Sequence, residues 1–279
     1  MTNPGPKKSG GLLTRLLTSL VLIPTSLALL WIPGLGAGWT LFVAAIVAAG
    51  TAEFYALARA RGIQPEARVG IVAGTAVALS AGFPLGVSPE MALYASCAAI
   101  CAINVLRGHG SVAAMSASVF GVVYVGWFGS HIVRLHEIPG TGRGLVLVLF
   151  VAVVLTDAAA YFVGKFLGSH KMAPVISPNK TWEGAFGGFA FALAGMAVLF
   201  FLRSRQGWES LPDWTMTRYV AAGALLSVAS QIGDLAKSGL KRDAGVKDSG
   251  WIFPGHGGAL DRCDGFLFAA PVMYYISIL

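Results

Sequence analysis

Long apolar runs separated by short polar breaks set the plan of this chain. Runs of spanning length lie near Leu16–Ile32, Leu35–Leu57, Val69–Leu85, Met91–Leu106, Val112–Leu135, Leu145–Leu167, Ala185–Leu202, Tyr219–Leu240 and Cys263–Leu279. A helix crosses a hydrocarbon core with about 20 residues, so the runs predict about nine transmembrane helices. Period-two alternation is absent, which excludes a spanning β-barrel and leaves helices as the segments whose backbone is satisfied within lipid. The expected fold is all-α, a polytopic integral membrane helical bundle. Leu12–Leu30 follows a basic start as a signal peptide would, but it is long enough to span and has no small-residue cleavage site, so it reads as a helix. Residues 1–11 form a polar tail, 12–143 a transmembrane scaffold, and 144–279 a second transmembrane region in which the chemistry collects.

Composition strengthens the membrane reading. Hydrophobic residues make up 56% of the chain and charged residues 12%, with a mean hydropathy of +0.71. Soluble domains carry about 25% charged residues. The 36 glycines have no collagen-like period and suit close helix–helix approach. Cys97, Cys101 and Cys263 lack ligand spacing and read as packing residues. His109, His131 and His136 stand at loop edges without partners at metal spacing and read as interfacial or solvated. The net charge of +7 has no basic patch with interleaved aromatics behind it, so nucleic acid is not an expected partner.

The basic residues give an orientation. With the N-terminus inside and the C-terminus outside, only Arg134, Arg143, Arg203, Arg205 and Arg218 of the twenty fall on the outer side. That is the positive-inside bias. The protein is therefore expected in the cell membrane, multi-pass, with its polar segments facing the cytoplasm. Glu53, near the inner end of its run, reads as an interfacial salt bridge to Arg59 or Arg61.

Two polar segments interrupt the second half. In the first, Asp157, Tyr161, Gly164 and Gly168 share one helix face, with a carboxylate, a phenol and two gaps for close approach. An ionised carboxylate inside an apolar helix costs about 2.5–3.5 kcal/mol, so it marks a function or a polar clasp. Pro178 then breaks the helix, and Ser177, Lys180 and Thr181 offer hydroxyls and an ammonium before a new helix starts, equipment suited to phosphate. The second segment, 231–265, is the most charged stretch of the chain. Asp234, Lys237, Ser238 and Lys241 fall on one helix face, and Asp261 and Asp264 share a face of the next. Asp234, Asp261 and Asp264 together make an oxygen site for a hard cation such as Mg²⁺. The Pro254–Gly258 turn lets the second helix fold back on the first.

These residues resemble a known family. Ser238-x-Leu240-Lys241-Arg242-x4-Lys247-Asp248, followed by Pro254-x-His256-Gly257-Gly258-x-x-Asp261-Arg262-x-Asp264, is similar to the signature of the phosphatidate cytidylyltransferases (CDP-diacylglycerol synthases). Ile176-Ser177-Pro178-x-Lys180-Thr181-Trp182-Glu183-Gly184 resembles that family's second block. The likeness is detailed from Asp157 to Gly265, with Ala259, Cys263 and Gly265 as packing departures. It implies transfer of a cytidylyl group from CTP to phosphatidate, Mg²⁺ as cofactor with K⁺ as an option for a second cation, and a bilayer-embedded lipid substrate. It further implies that Lys241, Arg242 and Arg262 neutralise phosphate, and that Asp234, Asp261 and Asp264 hold the metal. Asp157, Tyr161, Ser177, Lys180, Thr181, Ser238, Lys247 and Asp248 would line the substrate site, and His256 would either brace the turn or touch substrate. A homodimer is also expected, on family analogy more than on any residue.

Two other classes are weighed. A cation-coupled transporter could use intramembrane Asp157 and Asp234, but it should show broken helices in both halves, whereas the charges collect in one. A phosphatidyltransferase should carry a D-G-x-x-A-R block, which is absent.

Overall fold

The computed structural model describes residues 24–32, 34–108, 111–246, 248–250 and 257–279. The tail at 1–11, most of the first expected helix, His109, Lys247 and His256 lie outside the described residues. Residues 24–31 are helical and lead into α1 (Gly36–Ala60) and α2 (Ala67–Ser80). Helix α3 (Pro89–Leu106) starts with proline at its first position and the Ser88 hydroxyl accepting from the Met91 amide, a pairing that satisfies the free end of a helix. Helix α4 (Val112–His136) contains a π-helical stretch, Val122–Trp127, and α5 is Gly142–Leu167. A short hairpin follows, β1 (Lys171–Ala173) and β2 (Ser177–Thr181), and then α6 (Trp182–Gln206), α7 (Met216–Asp243) and α8 (Leu260–Ile278).

Among the described residues six helices, α1, α3, α4, α5, α6 and α7, are long and apolar enough to cross a membrane. The run at Val69–Leu85 instead gives the 14-residue α2, about 21 Å long at 1.5 Å per residue. Pro84 disfavours helix in the residue before it and shortens the element. Helix α8 has 19 residues, but its first two turns carry Asp261, Arg262 and Asp264, which places that end at a polar boundary.

The bundle is all-helical as expected, and one short hairpin is added to it. It is antiparallel, with Lys171 opposite Thr181 and Ala173 opposite Ser177. Pro178 sits on β2 rather than merely ending a helix. A two-stranded ribbon has open edges, where a missing N–H is tolerated. Thr181 closes the ribbon and caps α6, its hydroxyl accepting from the Gly184 amide at 3.2 Å.

Close helix approach positions the site. Gly184 and Gly188 of α6 face α5, where an added Cβ would lie 2.7 Å from the Ala160 carbonyl and 2.6 Å from the Thr156 carbonyl. Helices α7 and α8 meet as tightly, since a Cβ on Gly233 would strike the Asp264 carbonyl. The buried core runs through both halves: Phe268 of α8 packs against Tyr124 and Phe128 of α4, with ring centroids 5.9 and 5.5 Å away. His131, expected at a solvated edge, is fully buried on α4 with Nδ1 2.8 Å from the Trp127 carbonyl. It falls on the face turned towards Tyr274 and Tyr275.

Candidate functional site: a carboxylate–lysine cavity

A cavity of about 690 Å³ opens between α5, the hairpin, α6, α7 and the start of α8. That volume is in the range of small-molecule sites. Asp157, Tyr161, Lys180, Thr181, Asp234, Asp261 and Asp264, all expected from the sequence, line it together with Lys165, Lys171, Gln231 and Lys237. The glycine faces explain the room: Gly164, Gly168 and Gly184 line the same wall.

At the base the charges form a knot. The ammonium of Lys237 pairs with Asp264, lies 3.2 Å from Asp234 Oδ1 and 3.6 Å from Asp261 Oδ1, and its side chain is 8% exposed. Lys180, arriving on β2, donates to Asp234 Oδ2 at 2.6 Å, and Lys241 donates to Asp261 Oδ1 at 2.7 Å. Asp261 Oδ2 accepts from the Ser249 amide and hydroxyl at 2.9 and 3.0 Å and from the Gly258 amide at 3.2 Å. Charges withdrawn from water need partners of opposite sign and filled hydrogen-bond positions. Both conditions hold for Asp261.

The three expected carboxylates line the cavity, and Lys237, which the sequence put on the face of Asp234 without counting it as a site residue, lies at their centre. Lys237 has helical spacing to both Asp234 and Lys241, so the signal was there; that it faces three carboxylates depends on where α8 docks. Glu53 is a second correction. It forms no bridge to Arg59 or Arg61; Arg61 pairs with Asp243 at 3.2 Å. Glu53 is 5% exposed, accepts from the Ala259 and Leu260 amides at 2.9 Å each, and stands 3.0 Å from the Ser249 hydroxyl, whose one proton it shares with Asp261. Only the tertiary fold brings it to a turn some two hundred residues away. Glu183 is fixed as well, accepting from the His170 amide at 3.1 Å and standing 2.5 Å from His170 Nδ1, which ties the hairpin's start to α6.

Other expected residues do not line this cavity, and Lys241 reaches it only through its bond to Asp261. Arg242 is exposed and donates from Nε to the Ile176 carbonyl at 3.2 Å, bracing the hairpin. Arg262 points to the other side of α8, where it lines an apolar cavity with Leu260 and Cys263. Ser177 pairs within the hairpin, Ser238 is half-buried on α7, and Asp248 is exposed.

No three of the described His, Cys, Asp or Glu side chains are set to hold a metal ion among themselves. Lys237 occupies the point on which Asp234, Asp261 and Asp264 converge. The donor chemistry still fits Mg²⁺, which usually takes one or two carboxylates and completes its shell with water and substrate phosphate. Asp234 and Asp261 line the cavity, and they would serve in that way by exchanging a lysine contact for the metal.

A polar cavity with paired carboxylates and ammoniums, set among helices long and apolar enough to cross a membrane, is the kind of site that suits a charged ligand in a membrane protein. The cytidylyltransferase family profile matches residues 13–279. The chain is 39% identical over 270 residues to the phosphatidate cytidylyltransferase of Brucella suis, covering 95% of this chain and 93% of that one. It is 41% identical over 164 residues to the protein of the same name from Staphylococcus aureus (strain COL), covering 58% of this chain and 59% of that one. The chain belongs to the cytidylyltransferase family, as its two sequence blocks indicated.

Proposed function

We propose that this protein transfers a cytidylyl group from CTP to phosphatidate, giving CDP-diacylglycerol and pyrophosphate. The observation that carries the reading is the lysine-lined cavity at the polar end of a membrane bundle, in a chain whose relatives bear that enzyme's name. The relatives' names give the transporter alternative no support.

In this reading an oxygen of the lipid phosphate attacks the α-phosphorus of CTP, and the bond to the bridging oxygen breaks to release pyrophosphate. A phosphate monoester has a second pKa near ~6, so it arrives largely deprotonated and needs no strong base. The reaction is then mainly a matter of positioning and charge. Lys165, Lys171 and Lys180 hold the triphosphate at the cavity mouth, and Lys241, steadied by Asp261, neutralises the leaving group. Mg²⁺, when bound by Asp234 and Asp261 with the nucleotide, supplies charge neutralisation on the phosphates. Asp264 keeps Lys237 in place beside them, and a second cation such as K⁺ would sit on the same triphosphate.

The remaining parts of the reading are geometric. The N-terminus lies inside and the C-terminus outside, and the cavity faces the cytoplasm, where CTP is. The acyl chains stay in the bilayer, and two copies associate through glycine-rich faces. Purified protein in detergent with labelled CTP, phosphatidate and Mg²⁺ tests the central claim. Pyrophosphate release that needs all three, and that Asp261→Asn abolishes in a folded preparation, is expected. Equal release by wild type and Asp261→Asn, or none from either, defeats it.

A further inference from the structure

The carboxylate of Glu53 sits in the half of the chain with no part in the cavity, yet it is bound to the turn that carries Asp261. Oε1 accepts from the Ala259 amide, and Oε2 accepts from the Leu260 amide and the Ser249 hydroxyl. Helix α8 has no side-chain cap of its own at Ala259. A helix start leaves N–H groups without intrahelical partners and carries a partial positive charge, so a carboxylate is the group that suits it. Here the cap comes from α1, across the bundle. Two glycines admit it: a Cβ on Gly250 or Gly258 would collide with the Glu53 carboxylate. Ser249 carries the contact onward, since its hydroxyl is also 3.0 Å from Asp261 Oδ2.

We propose that Glu53 is a positioning residue for the transfer reaction, tying Ser249 to the Ala259–Leu260 turn so that Asp261 is held at the angle that meets Lys241. The proposal rests on the cytidylyltransferase reading for its kinetic consequence but not for its structural one. Glu53 fixes the first turn of α8 through Ala259 and Leu260 and fixes Asp261 through Ser249. The scaffold half thereby sets the geometry of the catalytic half. No ion pair competes for Glu53 among the described residues, so its acceptor capacity is spent on this turn.

Two measurements on full-length protein in detergent separate the outcomes. Hydrogen exchange reads the clamp directly: Glu53→Ala should speed exchange across residues 257–262 by about tenfold or more, as loss of a buried acceptor requires, while the α4 core keeps its protection. Unchanged exchange there overturns the clamp, whether or not the wild type turns over CTP. Kinetics read the positioning. Glu53→Gln keeps the shape but gives one backbone amide a donor instead of an acceptor. It should lower kcat by about 10²-fold with KM for CTP nearly unchanged, the signature of a misplaced group rather than a lost binding contact. Ser249→Ala keeps the Ala259 and Leu260 amides on Glu53 and the Ser249 amide on Asp261, and removes only the hydroxyl between the two carboxylates. It should lower kcat in the same way, and the double variant should be no worse than Glu53→Gln alone, since coupled residues are not additive. A Ser249→Ala enzyme with wild-type kcat overturns the positioning role even if Glu53→Gln fails to fold. Absence of turnover in the wild type would instead defeat the functional reading, and the exchange result would still decide the clamp.

Discussion

Helix α8 joins two buried polar clusters that look alike in composition and differ in consequence. At its start, Lys237 lies among Asp234, Asp261 and Asp264, beside the open cavity. Near its end, Arg134 of α4 pairs with Glu90 at 2.8 Å, stacks over Tyr274 with 4.3 Å to the ring centroid, and approaches Trp127 at 5.4 Å. In the second cluster aromatic faces cover the guanidinium while Glu90 lies at the surface. The first is closed by nothing: its carboxylates and lysines share a wall with about 690 Å³ of space. A charge inside a membrane bundle is therefore not a site by itself; a charge left facing a cavity is.

The largest test of that contrast is chemical. Lys241→Ala should lower pyrophosphate release by about 10²–10³-fold, the scale of losing one preorganised partner of developing charge, with expression and thermal midpoint close to wild type. Arg134→Met should leave turnover within about threefold, because a largely desolvated cation–π contact, worth about 2 kcal/mol to the fold, touches no reacting group. Comparable losses in both variants would dissolve the distinction. The next effect is on stability. Lys237→Met leaves Asp264 and Asp234 without their shared partner, and breaking a buried pair costs about 3–5 kcal/mol. Arg134→Met should cost less, about 1–2 kcal/mol, since the Glu90 side chain is 54% exposed and can turn to water. Thermal unfolding in one detergent checks the order; a more damaging Arg134 variant would reverse the reading of which cluster holds buried charge.

The sequence made much of this site legible because helical spacing needs no tertiary information. Asp234 with Lys241, Asp261 with Asp264, and Asp157 with Tyr161 each share a face by period alone, and the apolar runs located their helices. What could not be read depends on docking. Lys237 becomes the centre of the knot only when α8 closes against α7 at Gly233, and Arg262 turns away from the cavity because the helix rotation is set by that same contact. Ser177–Thr181 promised a phosphate loop, and the chain forms a hairpin that delivers Lys180 while committing Ser177 to strand pairing. Glu53 had a local explanation in Arg59 and Arg61, and nothing in its neighbours pointed to Ala259. The short α2 shows the same limit: hydropathy continues past Ser80, and Pro84 ends the helix.

The smallest expected effect concerns the wall rather than the charges. Gly184 lines the cavity and meets α5 where an added Cβ would lie 2.7 Å from the Ala160 carbonyl and 3.1 Å from the Gly164 Cα. These are backbone atoms of a packed helix, which cannot swing aside as a side chain does, so α6 must move. Overpacking of this kind costs about 1–3 kcal/mol. The displaced helix begins at Thr181, whose hydroxyl caps it and whose strand carries Lys180, so a shift of α6 shifts the Lys180 ammonium relative to Asp234. Gly184→Ala should therefore raise KM for CTP by roughly three- to tenfold while kcat changes little, because a rim contact that binds ground state and transition state alike is what loosens. An equivalent Gly→Ala change at Gly36, where the added Cβ would meet only the His136 ring at 3.4 Å, is the matched control at the closed end. It should leave KM unchanged. A KM shift at Gly36 as large as at Gly184 would mean that the bundle transmits packing strain along its whole length, and that the open and closed ends are mechanically one.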